Sequence, residues 1–89
     1  MTVRKRVRAH GRVQGVFFRD SVRRAAEAAG VAGWAANRPD GSVEAVFEGQ
    51  EEAVERLVEL CRAGPGHAVV SQLDVADEAP EGLSGFDVG

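Results

Sequence analysis

The chain has 89 residues, the length of one small domain, so we expect a single domain over residues 1–89. Hydrophobic residues make up 44% and charged residues 28%, which is the balance of a globular domain rather than of a disordered segment. No apolar run approaches the roughly 20 residues that span a bilayer, and the basic start lacks the apolar stretch of a signal peptide. The single cysteine, Cys61, excludes a fold held by internal disulfides. We therefore expect a cytoplasmic protein that does not bind membranes.

The charges of the chain are unevenly distributed. Residues 1–24 hold eight cationic side chains and one carboxylate, a net charge of +7, whereas residues 25–89 hold three cations and thirteen carboxylates, a net charge of −10. A basic first quarter on an acidic body indicates a local site for an anion. For the arginines that alternate along the first predicted strand, the simpler interpretation is a face exposed to water.

The first half of the chain predicts a strand, a helix and a hairpin. Residues 3–10 alternate between a mostly apolar set and a basic set, which is the pattern of a half-buried strand. After a glycine-containing loop, residues 20–29 carry an apolar stripe at helical spacing, and Gly30 is a typical left-handed stop. Residues 31–37 and 42–48 predict two strands that flank an Arg-Pro-Asp-Gly turn and form a hairpin.

The second half predicts one more helix and two more strands. Residues 51–62 place apolar side chains, including Cys61, on one stripe of a helix. Residues 68–75 alternate as a strand, residues 76–85 predict an irregular loop, and residues 86–88 add a short terminal strand. The order β-α-β-β-α-β predicts an α+β, ferredoxin-like two-layer sandwich, in which two helices cover one face of an antiparallel sheet. This fold serves many functions, so function must be inferred from particular residues.

The loop between the first strand and the first helix is the candidate anion site. The first N–H groups of a helix have no partner within the helix, and together with the helix dipole they favour an anion. Gly11 and Gly15 allow the backbone to curl around such a group. Arg19 lies at the positive end of the helix dipole, where a cation is unfavourable unless an anion binds, and its guanidinium can donate two hydrogen bonds to a phosphate or carboxylate. The alternative is an ordinary turn with a solvated arginine.

The residue types disfavour several other chemistries. The chain has one lysine, Lys5, and therefore no Walker phosphate loop. Its spacings match no zinc or calcium motif, so we predict no metal site and no cofactor. His10 and His67 are the only near-neutral bases, and we assign His10 a structural role because it precedes the loop. Cys61 and the aromatic residues Trp34 and Phe47 are expected in the core.

Two segments of the chain resemble the two sequence signatures of the acylphosphatase family. The first signature is a glycine, any residue, Val-Gln-Gly-Val, any residue, an aromatic residue and an arginine. Its positions are filled by Gly11, Val13, Gln14, Gly15, Val16, Phe18 and Arg19. The second begins with a glycine and an aromatic residue, and its positions are filled by Gly33, Trp34, Ala35, Asn37, Gly41, Val43 and Gly49. The resemblance covers nearly the whole chain, because the length and the order of helices and strands match as well.

The resemblance implies that the protein hydrolyses the mixed anhydride of a carboxylic acid and phosphate. By the same resemblance, Arg19 binds the phosphoryl oxygens, and Asn37 holds and orients the attacking water. The backbone amides of the phosphate cradle would be those of Gln14, Gly15, Val16, Phe17 and Phe18. The implied partners are a small acyl phosphate and inorganic phosphate, without a cofactor, and we expect a monomer that binds no nucleic acid. From its position beside a turn alone, Asn37 is more simply interpreted as a turn-forming residue.

Three other functions fit parts of the sequence. A sheet of this fold can bind single-stranded RNA, but such sheets stack bases on exposed aromatic side chains, which the basic first strand lacks. A metal-carrying domain of this fold would need paired cysteines, and the chain has one cysteine. Similar domains also occur within larger proteins that handle carbamoyl phosphate. Because Arg19 and Asn37 are both present, the resemblance favours free hydrolysis.

Overall fold

The structure is a computed structural model, and it describes residues 1–15 and 17–89. Over these residues the chain forms five strands and two helices. They are β1 (Thr2–Arg12), α1 (Phe18–Ala29), β2 (Ala32–Asn37), β3 (Val43–Gln50), α2 (Glu51–Ala63), β4 (Val69–Glu78) and β5 (Phe86–Val88). The predicted α+β class and order of elements are confirmed.

The strands form one sheet in the order β4-β1-β3-β2-β5. β1 lies antiparallel to both β3 and β4, and β2 lies antiparallel to β3. The short β5 pairs with β2 in parallel, so the predicted antiparallel arrangement applies to the other four strands. α1 packs over β2 and β5, while α2 packs over β1, β3 and β4. The two helices thus cover one face, as predicted for the ferredoxin-like sandwich.

Two strands extend into segments that the sequence predicts as loops. β1 continues through Gly11 and Arg12, which the sequence assigns to a loop, because β4 keeps pairing with them after a register shift next to His10. β4 continues to Glu78, although the sequence predicts a loop from residue 76. Its last residues pair with the basic part of β1, where Arg4 lies opposite Glu78. The extension therefore depends on charge complementarity with a distant strand, which local patterns do not encode.

The core lies between the helices and the sheet. Phe47 and Cys61 are fully buried there, as expected. Burial raises the pKa of the Cys61 thiol to about 12, so the group stays protonated and unreactive at neutral pH. The sequence predicts Trp34 in this core. In the structure Trp34 is only half-buried and lies on the opposite face of the sheet. There its ring is flanked by the guanidinium groups of Arg6 and Arg38, each 5.5 Å from the ring centre.

The sheet face without helices carries a network of ion pairs. The sequence suggests that the β1 arginines are solvated, but Arg4 is only 4% exposed. Its guanidinium contacts Glu48 at 3.4 Å and Glu78 at 2.9 Å. Arg6 contacts Glu78 at 2.6 Å and Glu44 at 2.9 Å. The expectation of solvated arginines is therefore wrong for Arg4, whereas Arg6 stays 34% exposed while it pairs with carboxylates of β3 and β4.

Glu48 is the buried carboxylate of this network. Its side chain accepts hydrogen bonds from the backbone N–H groups of Glu81, Gly82 and Leu83, at 2.8–2.9 Å. It also accepts one from Arg4 at 3.4 Å. The three backbone donors belong to the segment between β4 and β5, so Glu48 anchors the connection that leads to the last strand.

We predict that Glu48→Ala lowers the free energy of unfolding by about 3 kcal/mol. The variant leaves a buried arginine without one partner and three backbone donors without their acceptor. Urea unfolding measures the change. The control is Glu81→Gln, which removes an exposed carboxylate 3.7 Å from Arg4 and should cost under about 1 kcal/mol. Equal stability of the two variants would contradict the anchoring role.

A comparison of Glu48→Ala with the wild type also tests how the stabilisation by Glu48 depends on pH. The N–H groups that bind Glu48, first that of Glu81, hold the pKa of its carboxyl group below the ordinary value. This stabilisation is fully present above the unfolded carboxyl pKa of about 4 and is lost as the pH falls through the lowered folded pKa. The stability difference between wild type and Glu48→Ala should therefore narrow below about pH 4.

Candidate active site

A cavity of about 240 Å³ lies at the sheet edge where β1 ends and α1 begins. It is lined by Val13, Gly15, Phe17, Phe18, Arg19, Asp20 and Asn37. A space of this size is small for a ligand site and suits a group such as phosphate. Arg19 and Asn37, which the sequence predicts to act together, both border it.

The strand register explains why these two residues meet. β1 and β2 are both antiparallel to β3, so they run in the same direction and end at the same edge of the sheet. Ala9 of β1 and Asn37 of β2 both pair with Val43 of β3. The loop that follows β1 therefore reaches the end of β2, and this loop leads to Arg19.

Two of the described loop residues before α1 are left-handed. Gly15 has a φ of 72°, and Phe17, the N-cap of α1, has a φ of 62°. A left-handed conformation costs a non-glycine residue roughly 1–2 kcal/mol. No side chain of the described residues caps this helix, and its first N–H groups have no partner within the helix. The turn therefore provides amide donors at the positive end of a helix dipole.

Arg19 is held at the border of this cavity. Its Nη1 atom donates a hydrogen bond to the carbonyl oxygen of Gly89, and the Gly89 N–H donates to Ala35 at 2.9 Å. The neighbouring carboxylate of Asp20 is engaged by Arg23 at 2.6 Å and by Arg24 at 2.7 Å. Asp20 also lines the cavity, but Arg23 and Arg24 neutralise its carboxylate, so the positive charge of Arg19 remains there.

The hairpin turn does not depend on the side chain of Asn37. Asp40 Oδ1 accepts hydrogen bonds from the N–H of Ser42 at 2.9 Å and from its hydroxyl at 2.6 Å. The backbone N–H of Arg38 donates to the Ser42 carbonyl at 2.8 Å. The local capping that the sequence allows for Asn37 is therefore made by Asp40. Asn37 is the last residue of β2 and is exposed beside the cavity.

Gln14 joins the loop to this turn through its side chain. Its Nε2 atom donates to the carbonyl oxygens of Arg38 at 2.8 Å and of Ser42 at 2.9 Å. Sequence reasoning assigned only the backbone amide of Gln14 and missed this contact. The sequence feature that could have indicated this contact is a long amide side chain between Val13 and Gly15 in a short loop. Gln14 fixes the distance between the loop and the turn that follows Asn37.

The other predicted loop residues divide as follows. Gly15, Phe17 and Phe18 line the cavity, whereas Val16, whose amide the sequence assigns to the cradle, lies outside the described residues.

His10 lies on the face without helices, with Nε2 2.9 Å from a carboxylate oxygen of Asp74. Within residues 1–15 and 17–89, no three His, Cys, Asp or Glu side chains cluster as a metal site requires. Neither helix of that part of the chain is long and apolar enough to cross a bilayer.

The fold and the cavity define a small α+β domain with a cationic pocket at a strand-to-helix turn. The acylphosphatase family model matches residues 5–88. An acylphosphatase from Gloeobacter violaceus is 60% identical over 86 residues, and the match covers 92% of this chain and 92% of that one. An acylphosphatase structure from Coxiella burnetii matches with a TM-score of 0.92 and 38% identity, over 99% of this chain and 93% of that one. One from Bacillus subtilis matches with a TM-score of 0.92 and 36% identity, over 98% of each chain.

The chain belongs to the acylphosphatase family, whose members are hydrolases that act on acid anhydrides. The family resemblance carried by the two sequence signatures is thereby confirmed. The matches also confirm the predicted fold, because they extend over nearly all of this chain and of the matched structures.

We predict that Gln14→Ala lowers the free energy of unfolding by about 1–3 kcal/mol, since it removes two hydrogen bonds of roughly 0.5–1.5 kcal/mol each. Urea unfolding measures this change. The control is Gln72→Ala, because Gln72 also donates through Nε2, but to Asp74 on an exposed surface at 2.8 Å. That variant should change stability by less than about 0.5 kcal/mol. Equal losses in the two variants would contradict the joining role of Gln14.

Proposed function

We propose that this chain is an acylphosphatase that hydrolyses the carboxyl-phosphate bond of small acyl phosphates. The products are a carboxylate and inorganic phosphate, and neither a metal nor another cofactor takes part. The observation that carries the proposal is the meeting of Arg19 and Asn37 at one small cavity, on two elements brought together by β3. Relatives named acylphosphatase that match the chain nearly end to end support it.

In this proposal Arg19 and the loop bind the phosphoryl group. The guanidinium donates two hydrogen bonds to phosphoryl oxygens. The backbone amides of Gln14, Gly15, Val16, Phe17 and Phe18 complete the cradle, as the left-handed turn and the uncapped start of α1 would allow. Phosphoryl transfer depends mainly on positioning and on charge stabilisation in a loose transition state. These donors supply that stabilisation from fixed positions.

Asn37 would hold the attacking water through its side-chain carbonyl oxygen. The water oxygen forms a bond to phosphorus as the bond to the acyl oxygen breaks, and the electron pair leaves with the carboxylate. A carboxylate is a weak base with a pKa near about 4, so its departure needs no general acid. An amide cannot accept the proton of the water, and His10 is engaged by Asp74 on the other face. The water proton therefore passes to an oxygen of the phosphoryl group.

The charge distribution supports a small-molecule partner over a nucleic acid. An RNA-binding sheet of this fold would offer exposed aromatic side chains and free cations. On the face without helices, Trp34 is flanked by Arg6 and Arg38. Arg6 and Arg38 also contact Glu44 at 2.9 and 2.7 Å. We retain the expectations of a monomer and of no nucleic-acid binding.

Replacement of Arg19 should abolish most activity. We expect Arg19→Ala to slow the hydrolysis of benzoyl phosphate by about 10³–10⁵, the usual contribution of an arginine on a transferring phosphoryl group. Arg19→Lys should also be severely impaired, because an ammonium group cannot reproduce the planar pair of donors. Loss of absorbance, followed in the presence of EDTA, measures the rate. Arg56→Ala, which removes an exposed arginine of α2 away from the cavity, is the control and should keep the wild-type rate. Equal rates for Arg19→Ala and wild type would refute the proposed mechanism.

Replacement of Asn37 should separate turnover from phosphate binding. We expect Asn37→Ala to lower kcat by about 10²–10³, the effect of losing one positioning hydrogen bond. Inhibition by inorganic phosphate should change little, whereas Arg19→Ala should weaken it strongly. Steady-state kinetics with phosphate as inhibitor gives both quantities. Full turnover in Asn37→Ala would remove this residue from the mechanism.

A further inference from the structure

Phe17 is exposed although it is aromatic and strained. Its side chain is 71% exposed, whereas the other three phenylalanines of the chain, Phe18, Phe47 and Phe86, are buried. Its φ of 62° lies in the left-handed region, which glycine adopts freely and phenylalanine does not. Neither core packing nor backbone preference therefore explains a phenylalanine at this position.

Phe17 lies at the outer border of the cavity. Val13 and Phe18 also line the cavity, and both are buried, so they close its inner side. Phe17 lines the same cavity but is exposed to solvent. The exposed residues that line the cavity are Gly15, Phe17 and Asn37, so an acyl group attached to a phosphoryl group in so small a space extends along this exposed side. The phenyl group is thus the large apolar surface available where the acyl group leaves the cavity.

We propose that Phe17 contacts the acyl group of the substrate and makes the enzyme prefer aromatic or other large apolar acyl phosphates over acetyl phosphate. This inference rests on the proposed function and adds a substrate class to it. A benzoyl group can bury part of its ring against the phenyl group, whereas a methyl group cannot. The interaction energy of such an aromatic pair corresponds to a kcat/KM that is about two- to tenfold higher for the aromatic substrate. The phosphoryl cradle uses only the backbone of Phe17, so the side chain is free for this role.

The test compares two substrates in Phe17→Asn. Asparagine tolerates the left-handed conformation, so the loop keeps its shape while the phenyl group is removed. We expect the ratio of kcat/KM for benzoyl phosphate to kcat/KM for acetyl phosphate to fall about two- to tenfold. Inhibition by inorganic phosphate measures any change in the cradle, which would affect both substrates equally and leave this ratio as it is. Phe17→Tyr keeps an aromatic ring and should keep the preference for benzoyl phosphate. Val75→Thr alters an exposed apolar residue of β4 that pairs with Val7 in the middle of β1, and it should leave the preference intact.

The outcomes separate this inference from the proposed function. If the wild type hydrolyses benzoyl phosphate in an Arg19-dependent way but Phe17→Asn keeps the substrate ratio, the role of Phe17 is wrong and the proposed function stands. A parallel loss with both substrates would mean that Phe17 only shapes the loop, and this also overturns the inference. If the wild type hydrolyses neither substrate, both proposals fail.

Discussion

The pairing of β1 and β2 on either side of β3 determines where the candidate active site forms. Two strands that are both antiparallel to the strand between them run in the same direction, so their ends lie at one edge of the sheet. Ala9 and Asn37 share the partner Val43, and the loop after β1 must therefore pass the end of β2. Gln14 then bonds this loop to the hairpin turn. The position of Arg19 relative to Asn37 follows from this arrangement rather than from either segment alone.

The loop after β1 concentrates features that are individually unfavourable. Phe17 is left-handed, the start of α1 has no side-chain cap among the described residues, and Arg19 places a cation at the positive end of the helix dipole. An anion in the cavity would accept hydrogen bonds from the free amides. It would also compensate the charge of Arg19 and the positive end of the helix dipole. Backbone strain beside unpaired donors that a ligand can satisfy is typical of functional sites. This convergence is a physical reason to assign the cavity a phosphoryl group.

The ion-pair network changes the meaning of the charge distribution. Three of the β1 arginines, Arg4, Arg6 and Arg8, pair with carboxylates of β3 and β4 on the face without helices. Asp20 in turn pairs within α1. Arg19 keeps its positive charge at the cavity beside the start of α1. A net charge counted along the sequence indicated an anion site, but the pairing partners of the other arginines decide where that site lies.

The sequence by itself determined the helices, the hairpin, the order of elements and the two segments that contain Arg19 and Asn37. These depend on local spacing, on glycines such as Gly30 that end helices, and on motifs that are contiguous in the chain. The length of β4, the burial of Arg4, the side-chain role of Gln14 and the face occupied by Trp34 were not predictable in this way. Each of them depends on partners far away in sequence, such as Glu78 for Arg4 and the hairpin turn for Gln14. Only the tertiary structure decided them, because the strand order selects which distant charges, donors and acceptors become neighbours.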